Sequence, residues 1–194
     1  GNALNTSTPT MATGLSNVLQ MAAGSDHSLA LKTNGTVWAW GSNQYGQLGN
    51  GSGTPSTTPI QVPGLTSVVQ VAAGYYHSFA VKSDGTVWAW GYNGGGQLGN
   101  GTVLNSTTPI QAIGVSGATQ VAAGYAHSLA LKSDGTIYSW GVNAEGELGD
   151  GTNTDRSIAV QVSGINSATQ IVTKHAHSLA LKSDGTCGHG VTTH

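Results

Sequence analysis

One segment returns along this chain at a fixed spacing, and that recurrence limits the fold before any residue is considered for its chemistry. Gln120 to Thr136 reads Q-V-A-A-G-Y-A-H-S-L-A-L-K-S-D-G-T, and its histidine recurs as His27, His77, His127 and His177. Its last glycine recurs at the same 50-residue step, as Gly35, Gly85, Gly135 and Gly185. Self-similarity at that period means an array of one supersecondary unit, each copy burying its apolar surface against its neighbours. The 194 residues divide into units 1–50, 51–100, 101–150 and 151–186, followed by a departing tail, 187–194.

Within one unit the spacing predicts four short strands. Ala118 to Ala122 is an apolar run that stops before Gly124, which suits an inner strand. Ser128 to Lys132 and Thr136 to Gly141 flank Ser133-Asp134-Gly135, and Asp-Gly between apolar runs predicts a hairpin with a type I′ turn. In Val37-Trp38-Ala39-Trp40 the tryptophans share one face and the smaller residues the other. This large/small alternation predicts sheets buried on both faces. A polar loop covers Asn143 to Thr152, and an outer strand is expected over Ile110 to Ala112, after Pro109. Four short strands per period make a β-propeller blade, so the fold class is all-β.

Composition narrows the function classes. Charged residues make up 7% of the chain, against roughly 25% in an average domain. Net charge is −2, and the six basic residues form no stripe that could neutralise a phosphate backbone, so no nucleic-acid partner is expected. A single cysteine, Cys187, excludes an intrachain disulfide. No run approaches the ~18 apolar residues of a membrane-spanning helix. The chain opens without Met and without a leader pattern, which reads as an excerpt or a processed product.

Val71 to Gly99 carries V-A-A-G-Y-Y-H-S-F-A-V followed by D-G-T-V-W-A-W-G-Y-N-G-G-G-Q-L-G. This resembles the regulator of chromosome condensation repeat family, and the likeness covers almost the whole chain. The resemblance implies a β-propeller of four-stranded blades, about seven to a ring. It leaves several functions open, from guanine-nucleotide exchange to bacterial surface proteins, because fold does not choose among them. The uniform repeats look like the bacterial branch. The fourth unit departs from the pattern. Val172-Thr173-Lys174 replaces Ala-Ala-Gly, and Cys187-Gly188-His189-Gly190-Val191-Thr192-Thr193-His194 stands where Val-Trp-Ala-Trp-Gly is expected. Codons GTG TGG GCA TGG GGT TAC AAC TCA encode such a continuation, and loss of the first base gives C-G-H-G-V-T-T-H when a pyrimidine follows. The tail therefore reads as a frameshifted remnant.

Each candidate site has a bland reading beside it. The four histidines are too far apart, at one per blade, to share a metal, so they read as buried structural groups bonded to nearby backbone. Trp40, Trp90 and Trp140 read as inter-blade packing rather than a stacking surface. Cys187, His189 and His194 could chelate a soft metal, but a frameshift makes their spacing accidental. Glu145, Glu147, Asp150 and Asp155 lack the ligand spacing of a calcium loop and read as a solvated loop. No nucleophile or zinc-protease motif appears, so no catalytic residue, metal or cofactor is assigned.

Positions that vary between units remain. The pair before each histidine reads Ser25-Asp26, Tyr75-Tyr76, Tyr125-Ala126 and His175-Ala176, and the loops after Trp-Gly include Tyr45 and Tyr92. Tyr75, Tyr76, Tyr92, Tyr125, Tyr45 and Asp26 are therefore the candidate binding surface, on one rim. The expected function is a non-enzymatic scaffold of a secreted or surface bacterial protein, binding a protein or glycan. The alternative is an intracellular regulatory domain of the exchange-factor type. A homodimer closing one ring is expected, with Thr8 to Ala12 of one chain completing the other's last blade.

Overall fold

The computed structural model describes Thr8 and residues 11–190, with the backbone alone at 189 and 190. All regular structure among them is β. The first sheet comprises β1 (Val18–Ala23), β2 (His27–Lys32), β3 (Val37–Gly41) and β4 (Ser56–Gln61). The second is β5 (Val68–Ala73), β6 (His77–Lys82), β7 (Val87–Gly91) and β8 (Ser106–Gln111). The third is β9 (Ala118–Ala123), β10 (His127–Lys132), β11 (Ile137–Gly141) and β12 (Arg156–Gln161). A three-stranded sheet follows: β13 (Ala168–Lys174), β14 (His177–Lys182) and β15 (Cys187–Gly190). Every sheet is an antiparallel meander in chain order. Neighbouring sheets touch through their first strands, β1 to β5, β5 to β9 and β9 to β13.

The alternation of large and small side chains becomes the contact between blades. Leu29, Leu31, Val37 and Ala39 of the first blade pack on Val71, Ala80 and Trp90 of the second. Phe79, Val81, Val87 and Ala89 of the second pack on Val121, Ala130 and Trp140 of the third. Bulky groups leave one blade and meet small ones plus an indole on the next, which explains why β6 is buried on both faces from His77 to Val81. Bonds from backbone amides to glutamine side chains join the inner strands as well. The amides of Val71, Val121 and Ile171 donate to the side-chain oxygens of Gln20, Gln70 and Gln120, one blade earlier.

Three local expectations are corrected. The Asp-Gly hairpin is not type I′: only the glycine has positive φ (+77° at Gly85), and its N–H donates to the Lys82 carbonyl. This is a three-residue loop ending in a left-handed glycine, with Asp84 free to accept bonds from the Thr86 amide and hydroxyl. A Cβ on Gly85 would also meet the Gly117 Cα at 2.7 Å. The outer strand starts earlier than expected, at Ser106, and contains Pro109; as an edge strand it needs no N–H there. Trp40 is only half-buried, unlike Trp90 and Trp140 at 0% exposure, because no described blade precedes the first.

The paired tryptophans differ in role. Trp90 donates its indole N–H to the Gln47 carbonyl across the blade contact, whereas Trp88 bonds Thr86 and lies 5.6 Å from the Lys82 ammonium. The recurrent lysine is thereby explained as a cation held over an outer aromatic face. Trp90→Ala is expected to lower unfolding stability by about 3–5 kcal/mol, and Trp88→Ala by under about half of that, measured by urea denaturation of both variants.

Candidate rim site

The turns between first and second strands and the loops between third and fourth strands gather at one end of the blades. Each turn is tied to the next by backbone bonds: Ser25 N–H donates to the Tyr75 carbonyl, Tyr75 to Gly124 and Tyr125 to His175. The four turns surround a mouth of about 410 Å³ whose lining includes Gly24, Tyr75, Tyr125, Lys174 and His175. Beside it runs an unbroken file of aromatic rings. Tyr92 lies 5.0 Å from Tyr45, Tyr45 4.9 Å from Tyr76, and Tyr76 4.4 Å from Tyr75. Tyr75 lies 4.5 Å from Tyr125, which lies 5.3 Å from His175. Tyr75, Tyr125 and His175 are the exposed members; Tyr45, Tyr76 and Tyr92 are half-buried.

All five candidate tyrosines thus fall in one cluster spanning three blades. Asp26 is exposed and accepts from the Ser25 hydroxyl at 2.7 Å; its charge reaches Tyr76. Burial among the rings, then the neighbouring Tyr75, pushes the Tyr76 phenol above its usual range. Sequence reasoning left Lys174 and His175 out of the site. The signal was present, since both stand at positions where the other units carry Gly followed by Ser or Tyr.

Beneath the rim the histidines form the seams. Ser78 Oγ donates to the Gln47 carbonyl at 2.8 Å, so its lone proton is used, and His27 Nε2, 2.9 Å away, must carry the proton of that second bond. The same relay joins His77, Ser128 and Gln97, and again His127, Ser178 and Glu147. The histidines are therefore buried as expected, but they bond a side chain on the next blade rather than nearby backbone. Nδ1 of His27 and of His77 has no partner among the described residues. Gly24 presses on the ring of His27, and a Cβ there would lie 2.2 Å from the imidazole Cε1. A second proton on Nδ1 would go unbonded. Desolvation lowers His27 and His127 to about 4 and His77 to about 3, the charges of neighbouring histidines adding to the effect at His77 and His127.

His177 is a correction: it is exposed, because no described blade follows to cover it and Lys174 replaces the glycine that would receive its ring. The acidic loop also differs from a solvated one. Asp150 bonds Arg156 at 2.8 Å, buried Glu147 accepts the Glu145 amide, and Asp155 accepts the Asn143 amide. Asn143, like Asn43 and Asn93, is fully buried and ties its loop together through several bonds. His194 and the side chain of His189 lie outside the described residues, as do residues 9 and 10 of the proposed exchanging segment. Among the described residues, no three His, Cys, Asp or Glu side chains come together as a metal site.

Side-by-side antiparallel blades, with first strands innermost and variable turns at one end, define a β-propeller scaffold. The RCC1-like domain profile matches residues 1–193, and the chain belongs to that family. It is similar to human WBSCR16, with 28% identity and TM-score 0.80 over 89% of this chain and 46% of that one. Prp20p of Saccharomyces cerevisiae, described with its binding to Gsp1p and histones, matches at 28% identity and TM-score 0.79 over 93% of this chain and 46% of that one. Protein pim1 of Schizosaccharomyces pombe is 43% identical over 51 residues, 26% of this chain and 10% of that protein. The chain spans about half the length of the solved relatives. These come from human and yeast and lend the bacterial expectation no support.

The three depressed histidines make stability pH-dependent in one direction. Their folded values lie below 6.5, so the unfolded chain binds more protons between about 4 and 6.5. Stability is full above that window and falls as pH drops through it, by roughly 3 kcal/mol for each histidine at the acid end. Urea midpoints measured from pH 8 to pH 4 should trace this fall, and His77→Gln should make it shallower.

Proposed function

We propose that the chain is a non-enzymatic protein-binding scaffold that engages its partner through the tyrosine rim. One observation carries this reading: six aromatic side chains from five turns and loops form a single file on one end of a rigid array. Rings held by a scaffold present large contact area at small cost in side-chain entropy, which favours them as binding anchors. The relatives support a protein partner and a regulatory role over secreted glycan binding. Yeast Prp20 has been solved bound to Kap60, and Prp20p is described with Gsp1p and histones. A role in exchange-factor-type regulation is therefore the preferred reading. Tyr75→Ala with Tyr125→Ala removes the two exposed tyrosine anchors without touching a blade seam. This double variant should keep its melting temperature within a few degrees and bind at least ~30-fold more weakly to the proteins it captures, with Gsp1p and histones as defined probes. Equal binding by the variant overturns the rim assignment. Capture from culture supernatant but not from lysate would favour the secreted reading instead.

We further propose that a second copy covers the two open blade faces of the 194-residue chain. Leu179 and Leu181 are exposed on the last blade, at the positions where Leu29 and Leu31 meet the next blade. Met21, 70% exposed, and half-buried Trp40 offer the matching face on the first. His177 and Ser28 stand ready for the same relay as His27 and Ser78. Sedimentation should give twice the 19.5 kDa chain mass, reversing to monomer in Met21→Asp; a wild-type monomer at micromolar concentration overturns the assembly.

A further inference from the structure

The third and fourth blades meet as the earlier pairs do, with one side chain missing. Ser178 pairs in register with Gly190, as Ser78 pairs with Trp90 and Ser128 with Trp140. At the earlier contacts an indole N–H donates to the carbonyl of Gln47 or Gln97, at 2.9 and 2.8 Å. The same rings lie against Gly49 and Gly99, where a Cβ would come within 2.8 Å of the indole nitrogen. At the third contact the glycine is Gly149, and the atom nearest to where its Cβ would lie is the Val162 Cγ1 at 3.2 Å. The Glu147 carbonyl accepts from the Ser178 hydroxyl at 3.5 Å, a long bond beside the 2.8 Å one at Gln47.

A cleft opens where the indole would be. Its walls include Leu129, Ile137, Leu148, Val162 and Ile165, with Glu147 among them. Room for the centre of a water-sized sphere amounts to about 20 Å³, within about 270 Å³ of empty space that runs out into solvent. Leu148 is the counterpart of Leu48 and Leu98, which share their clusters with Trp90 and Trp140.

We infer that this cleft is a binding site for a small planar N–H heteroaromatic of the indole class, its N–H donating to the Glu147 carbonyl and its face resting on Gly149. The two occupied seams of the same chain show which shape and which donor the walls accommodate. The ring must arrive without a strand of its own, since β15 already fills the backbone position that would carry a tryptophan. A donor is required because the carbonyl faces apolar walls, where a ring without N–H leaves it with the long serine bond alone. Entry turns the Val162 side chain away from Gly149.

The test is a methyl NMR titration of the full chain with indole. The methyls of Ile137, Leu148 and Ile165 should shift saturably, with half-saturation on the order of 1 mM. The methyls of Leu48 and Leu98 should stay in place, because their seams hold an indole already. Indene, of the same shape without the N–H, should bind about tenfold more weakly. In Gly190→Trp the tethered ring should remove the response to indole and raise the melting temperature. No saturable shift, equal shifts at all three leucines, or equal affinity for indene overturns the site. The wild-type titration decides the matter even where Gly190→Trp does not fold.

Discussion

The structure depends on one contact, complete at the first two seams and lacking only its tryptophan at the third. A histidine gives its Nε2 proton to a serine on the next blade, the serine gives its own to a loop carbonyl on the first, and a tryptophan N–H from the next blade meets that same carbonyl. Each proton has one place to go, so the relay fixes the imidazole tautomer, the serine rotamer and the distance between blades together. Buried polar groups satisfied in this way specify a single arrangement, where apolar packing alone would allow sliding. A glycine beside each of His27, His77 and His127 is part of the device, since any side chain there would occupy the space of the ring.

Because the seams carry the fold, the turns above them are free to change. The residues just before each histidine contribute backbone bonds between turns, and their side chains point to the rim and the mouth. Tyrosine at these places therefore gathers into one aromatic file without cost to the blades. The neighbouring loops are held from inside by Asn43, Asn93 and Asn143, which frees Tyr45 and Tyr92 to join that file. A rigid base with variable aromatic turns is the arrangement that separates binding from stability.

The fourth blade shows what the seam requires by doing without parts of it. Lys174 replaces the glycine, β13 runs on to pair Lys174 with His177, and that histidine is left in solvent. Gly190 replaces the tryptophan, and a cleft appears against Glu147. The backbone pairing nevertheless continues through β15 in the same register, Leu181 opposite Cys187 as Leu31 is opposite Val37. Strand pairing is thus less demanding of sequence than blade packing, because the ladder uses backbone groups that every residue except proline supplies.

The sequence by itself determined the architecture. A 50-residue period with large/small alternation admits few folds, and the strands lie within a residue or two of where the period places them, apart from the outer strand around Pro109. It also marked the rim tyrosines, as aromatic residues at positions where the units disagree. It could not show that those tyrosines touch, since Tyr45 and Tyr76 are brought to 4.9 Å by the seam between two blades and not by any local spacing. The histidine partners were equally hidden: the serine bonded to His27 is Ser78, in the next unit, although an identical Ser28 sits beside it in the chain. In a repeat every unit offers the same groups, so sequence reveals which groups recur, and only the packing of one blade on the next decides which copy meets which.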